Sequence, residues 1–215
     1  MGENLEDKFA NDTERPSHLV NIRRSFAMGA FPVTVGEYRR WRPAHMPMDC
    51  PDWPVVGVSW EDAQEYCRWL NEREERMVRL PSEAEWEYAC RAGSRDIFAF
   101  GDTLSERQAN YLYTENGGRV GVGSRTAQGA YAPNAFGLYD MHGQVCEWVE
   151  DRWHDDYEGA PDDGTPWVTG GRVNCRVVRG GAWDYLPRLL RSSWRDGVMQ
   201  NVRRDNIGFR LVFDL

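Results

Sequence analysis

The chain has 215 residues, 34 acids against 26 bases, a net charge of −8 and 41% hydrophobic residues. That length buries roughly 70% of the unfolded surface in one large domain, and the composition excludes a disordered or collagenous protein. The acidic balance argues against nucleic acid as a partner, and the lack of any apolar run of about 18 residues argues against a membrane span.

Residues 1–17 are expected to form a polar tail whose first dozen residues fray, with a single domain over 18–215. The start is acidic and lacks the apolar core of a secretory leader, so a cytoplasmic location is expected. His18-Leu19-Val20-Asn21-Ile22 alternates like a strand, and Phe26 to Gly29 could form another. Three capping boxes follow, each a Ser or Thr with an acid three residues on, which satisfies orphan N–H groups at a helix start. Thr34 with Glu37, Ser59 with Asp62 and Ser82 with Glu85 each open a predicted helix. The second carries Ala63, Tyr66, Cys67 and Leu70 on one face, and the third turns Trp86, Ala89 and Cys90 inward before Gly93.

Helix signals fade after residue 94, where Gly, Pro, Asn and Asp recur every few positions. Loops and short strands are expected there, giving an α+β domain. The stretch 101–134 is too long for a simple connection and needs something specific to order it. Val177-Val178 and Phe209 to Phe213 are the clearest late strands.

Twenty-five of the 26 bases are arginine, and Lys8 is the lone lysine. Arginine suits fixed internal pairs with carboxylates, although genome composition gives the same bias. Residues 176–215 hold eight arginines and four aspartates, so this end is basic in an otherwise acidic chain. The five cysteines are widely spaced with no C-x-x-C, which is neither a zinc pattern nor a disulfide framework. Of the ten tryptophans, Trp60, Trp69, Trp86 and Trp148 are expected in the core, and Trp183 and Trp194 on a surface.

Several segments, in order, resemble the formylglycine-generating enzyme or sulfatase-modifying factor family. They are Phe31-Pro32-Val33-Thr34, Pro54-Val55-Val56-Gly57-Val58-Ser59-Trp60, and Arg79-Leu80-Pro81-Ser82-Glu83-Ala84-Glu85-Trp86. Then come Asn134-Ala135-Phe136-Gly137-Leu138-Tyr139-Asp140-Met141, Glu147-Trp148, Arg179-Gly180-Gly181 with Trp183, and Asn206-Ile207-Gly208-Phe209-Arg210. The resemblance implies an α+β, C-type-lectin-like domain with little regular secondary structure. In the founding enzymes a cysteine pair shortly after the Arg-Gly-Gly motif holds copper, a soft-ligand site. Here the pair's positions fall on Tyr185 and Leu190, and no cysteine follows Cys175, so copper is not expected.

Two other branches of the superfamily bear on function. One builds carbon–sulfur bonds with iron held by histidines, which leaves open a facial triad from His142, His154 and an acid. The other comprises the non-catalytic variable proteins of diversity-generating retroelements, whose varied residues lie between the Arg-Gly-Gly-x-Trp motif and the last strand. That window here is 184–206, mixing polar, aromatic and aliphatic types without a period. A protein or small ligand is expected on this face, touching Trp183, Asp184, Tyr185, Leu186, Arg188, Leu189, Trp194, Asp196, Val198, Met199, Gln200 and Asn201. The alternative is a divergent metal-dependent oxidase or maturation factor. The resemblance further implies a structural calcium at Asp140, Gly143, Val145 and Glu147, an all-oxygen set; the competing reading is a capped turn with Glu147 paired to an arginine. Arg179 and Arg210 are expected as buried structural pairs. The acids of 147–163 form either a negative lip or a solvated loop.

Overall fold

The computed structural model describes residues 1–3, 7–73 and 77–215. All three capping boxes form. Thr34 starts α1 (Val35–Arg39), Ser59 starts α2 (Trp60–Asn71) and Ser82 starts α3 (Glu83–Arg91). In each, the N-cap oxygen accepts from the backbone N–H three residues on, and the acid there accepts from the N-cap N–H at 2.8 to 2.9 Å. α3 ends on Ala92 in the left-handed conformation at φ 46°, ahead of Gly93.

Among the described residues, seven short strands make two sheets. β1 (Phe26–Met28), β7 (Val212–Asp214) and β2 (Val78–Arg79) form an antiparallel three-stranded sheet with β7 central. The larger sheet runs β5 (Arg195–Met199), β4 (Cys175–Arg179), β3 (Cys146–Arg152) and β6 (Ile207–Phe209), with only β3 and β6 parallel. The predicted strand at 18–22 is absent; that segment runs irregularly before β1, with Leu19 87% exposed, so its alternation has no sheet face to bury.

The larger sheet is covered on both faces, which explains why β3 and β4 do not alternate apolar with polar. Trp148 and Val178 pack with Tyr38, Ala63, Tyr66 and Cys67 of α1 and α2. Val149 and Val177 pack with Trp86, Ala89 and Cys90 of α3. Cys146 and Cys175 belong to these two different clusters and both are free thiols. Trp86 and Trp148 are fully buried as expected, while Trp60 and Trp69 are partly buried against the first cluster.

The long stretch after α3 is ordered by two polar pegs. Buried Gln144 accepts from Asn110 Nδ2 at 2.8 Å and from Thr126 N at 3.0 Å, and returns its amide to the Thr126 carbonyl. Arg125 donates to the Pro54 carbonyl and to Asp49, each at 2.6 Å. A loop held by its own backbone groups needs no regular structure to be fixed.

The frayed tail is the largest correction to the expected architecture. Glu14 is fully buried and Asp7 nearly so. Gly2 N donates to Glu87, and Glu3 N to the Glu14 carbonyl. Asp7 and Glu14 meet buried Arg191 rather than water, while Lys8, Asn11 and Asp12 stay exposed.

Candidate functional site

The C-terminal window begins where β4 ends. Arg179 is followed by Gly180 at φ 88° and Gly181 at φ 70°. A Cβ on Gly181 would sit 2.5 Å from the Leu189 carbonyl oxygen, so glycine lets the chain double back on itself. The chain then passes Trp183, a 3-10 turn at Pro187–Leu189, the buried run Leu190 to Trp194, and β5.

Beneath the window lies a network of buried charges. Arg195 grips Glu83 through Nε at 2.7 Å and Nη2 at 2.9 Å. Arg179 donates to Glu87 at 2.5 Å and to the carbonyls of Ser192 and Ser193 at 2.8 Å. Arg191 bridges both oxygens of Glu14 at 2.6 Å and reaches Asp7 at 2.9 Å. The Tyr157 hydroxyl adds a bond to Glu83 at 2.9 Å. Burial alone would raise the Glu87 carboxyl, but Arg91 and Arg179 hold it down at about 2. The sequence flagged Arg179 as a buried pair; Arg191, Arg195, Glu14 and Glu83 were missed, and the arginine bias was their only signal.

The predicted contact residues divide by exposure. Asp184, Met199 and Asn201 are exposed; Trp183, Tyr185, Leu186, Arg188, Leu189, Asp196 and Gln200 are half-buried on the surface. Trp194 and Val198 are corrections, at 5% and 3% exposure. β5 pairs with β4 through Asp196 opposite Val178, and the alternation about that pair places both side chains in the core under α1 and α2. Tyr185 covers Trp194 edge-on at 5.6 Å. Arg188 is already engaged, binding Glu115 through its backbone N at 2.6 Å and Nη1 at 2.7 Å. Asp184 accepts from Asn206 Nδ2 at 3.1 Å, and Gln200 donates to Glu61 at 3.0 Å. Asp196 forms no salt bridge among the described residues, and burial pushes its carboxyl up against the opposing pull of Gly197 N and the Arg204 charge.

At the positions of the copper pair, Tyr185 lies beside the Cys146 thiol and Leu190 is fully buried. Burial pushes the Cys146 thiol above its ordinary range, the opposite of what a thiolate ligand needs. The iron triad left open by the sequence is not assembled. His142 Nδ1 meets the Leu190 carbonyl at 2.7 Å and its Nε2 accepts from Ala99 N at 3.0 Å. His154 lies flat on Trp167 at 3.4 Å with both ring nitrogens on backbone carbonyls. Among the described residues, no three His, Cys, Asp or Glu side chains converge for a metal.

The expected calcium turn has a different occupant at its centre. Arg210 donates through Nε and Nη2 to the two oxygens of Glu147, each at 2.7 Å, and Trp86 Nε1 adds a third bond at 2.7 Å. Gly143 is held by Asn110, whose carbonyl a Cβ would strike at 2.3 Å, and Val145 is fully buried. Asp140 keeps one buried oxygen, Oδ2, without a partner. Asp140 is thus suited to a cation and Glu147 is not, so the four residues do not fit a calcium set with Glu147 as its acid. The capped-turn reading, with Glu147 paired to an arginine, matches this geometry.

Sequence and structure comparisons agree on the family. The model of the sulfatase-modifying factor enzyme 1-like domain matches residues 1–215. Formylglycine-generating enzyme from Bos taurus is 34% identical over 179 residues, covering 76% of this chain and 45% of its own length. The chain thus spans about half of that curated relative. The solved structure of PvdO from Pseudomonas aeruginosa superposes with a TM-score of 0.89 at 32% identity, over 100% of this chain and 90% of that one. Treponema denticola variable protein 1 superposes with a TM-score of 0.82 at 24% identity, over 100% and 91%, and shares the fold. No helix among the described residues is long and apolar enough to cross a membrane. With capping boxes, Arg-Gly-Gly turn and Gly-Phe-Arg strand all in place, the chain belongs to the sulfatase-modifying factor enzyme 1-like family.

Proposed function

We propose that this chain is a non-catalytic module that binds a protein or small ligand through the face of 183–206. One observation carries the reading: the copper-pair positions are Tyr185 and Leu190, with Leu190 fully buried. Around them, the network of Arg179, Arg191 and Arg195 fixes the base of the window while Trp183, Asp184, Met199 and Asn201 stay accessible. A rigid base with accessible aromatic and polar groups is the arrangement of a preorganised binding face. Trp183 and Tyr185 serve as anchors, and Asp184 and Asp196 as polar readers. The fold shared with a Treponema denticola variable protein supports a frame that tolerates changing display residues.

Two experiments test this. Incubation with copper, oxygen and a cysteine-bearing sulfatase-type peptide is expected to leave the cysteine unchanged by mass spectrometry; formylglycine in the product would establish the oxidase reading instead. Sequencing the DNA flanking the 3′ end of the gene is expected to find a near-copy of codons 179–210 that differs only at adenines. An ordinary flank would remove the diversified form of the proposal.

A further inference from the structure

Away from this face, the chain between Val20 and Phe26 stands off α3 and leaves a cleft of about 790 Å³. Its size falls within the range of small-molecule sites. Met28, Ala84, Ala89 and Leu138 are among its lining residues, and Tyr88 and Phe136 line it as an adjacent aromatic pair with ring centroids 5.5 Å apart. These two rings are 53% and 49% exposed, unusual for neighbouring large side chains in a folded domain.

The charges in the cleft have one sign left over. Glu87 is buried and both its oxygens are taken, by Gly2 N and Arg91 on one side and Arg179 on the other. Arg91 is in turn held by Glu87 and Glu3. Arg24 is exposed, and its guanidinium has no hydrogen-bond, ion-pair or ring partner among the described residues. The Tyr88 hydroxyl is likewise without a partner among them. A net positive, aromatic-walled cleft on a chain of charge −8 selects its ligand by chemistry.

We infer that this cleft binds a small planar aromatic molecule carrying one anionic group. The ring system lies against Tyr88 and Phe136, and the carboxylate or equivalent oxyanion meets Arg24. The site is independent of the 183–206 face.

The test uses 2-naphthoate as probe and its neutral analogue 2-naphthamide as control, followed by NMR of the methyl groups of Met28 and Leu138. Saturable shifts of those methyls are expected with both compounds. Arg24→Ala removes one charge-assisted contact and is expected to weaken 2-naphthoate about tenfold while leaving 2-naphthamide unchanged. Phe136→Ala is expected to weaken both. Arg24 is exposed and holds no hydrogen bond or ion pair among the described residues, so its variant is expected to keep the fold, which circular dichroism checks. The inference is overturned if neither compound shifts these methyls, if Arg24→Ala binds 2-naphthoate as tightly as the parent, or if the shifts appear at Trp183 and Tyr185 instead.

Discussion

Arg188 and Arg191 lie three residues apart, yet they do opposite work. Arg188 lies at the surface on Glu115, its side chain 42% exposed. Arg191 is buried to 1% and pinned between Asp7 and Glu14. Exposed pairs contribute about 0–1 kcal/mol because water and salt screen them, whereas a broken buried pair leaves a charge that nothing solvates. The window is therefore two layers: a base in which no change is neutral, and a rim in which most changes are. Such a division lets the rim vary without unfolding the domain.

The sharpest way to break that comparison is Arg191→Ala. It strands Glu14 and Asp7 in the interior and is expected to cost about 3–5 kcal/mol, read by urea unfolding. Arg188→Ala is expected to cost about 1 kcal/mol or less in the same assay. Equal costs would erase the two layers. Trp194→Ala comes next, at about 3–5 kcal/mol for an emptied core site, against about 0.5 kcal/mol for Trp183→Ala at the rim.

Acid should loosen the base region through His142. Burial lowers its pKa from 6.5 to about 4, so its contribution is full above 6.5 and is lost as pH falls toward 4, on the order of 3 kcal/mol when complete. Asp151 works in the other direction. Burial, and then the Glu83 charge, raise it from 3.8 to about 7, so its contribution is full below 3.8 and is lost as pH rises through 7. Between pH 4 and 6.5 the two slopes oppose each other, so melting temperatures should stay nearly level there, and His142→Gln should expose the Asp151 slope, with the melting temperature rising as pH falls from 7 to 4. The same pH profile for His142→Gln and the parent would show that His142 is protonated in place. The smallest expected effect is from calcium. Because Arg210 already fills Glu147, millimolar calcium chloride should leave the melting temperature where EDTA leaves it; a rise of several degrees would install the ion beside Asp140.

What the sequence revealed and what it hid separate along the same physical line. The three capping boxes were legible because their partners lie three residues apart and the chemistry is local. The pairing of Arg210 and the burial of Arg179 were legible from glycine-flanked arginines in family motifs. The docking of the N-terminal segment was not, because Glu14 meets Arg191 across 177 residues and an isolated acid near a terminus looks solvated. Trp194 was misplaced for a related reason. Its neighbours Arg191 and Arg195 read as surface, yet both are buried, so the arginines that marked the stretch as exposed are themselves interior. At the calcium turn, one carboxylate in the right spacing could not reveal that a cation 63 residues later already held it.

The N-terminal docking also sets a timetable. Asp7 waits for a guanidinium 184 residues downstream, and β1 waits for β7, the last of the described strands. During synthesis Asp7 and β1 leave the ribosome long before either partner exists. This N-terminal segment therefore cannot dock until Arg191 and β7 have been made. Contacts of such sequence separation fold slowly. A nascent chain stopped before Arg191 holds a hydrophobic core in progress with this segment undocked, and that is the state a chaperone or a protease would meet.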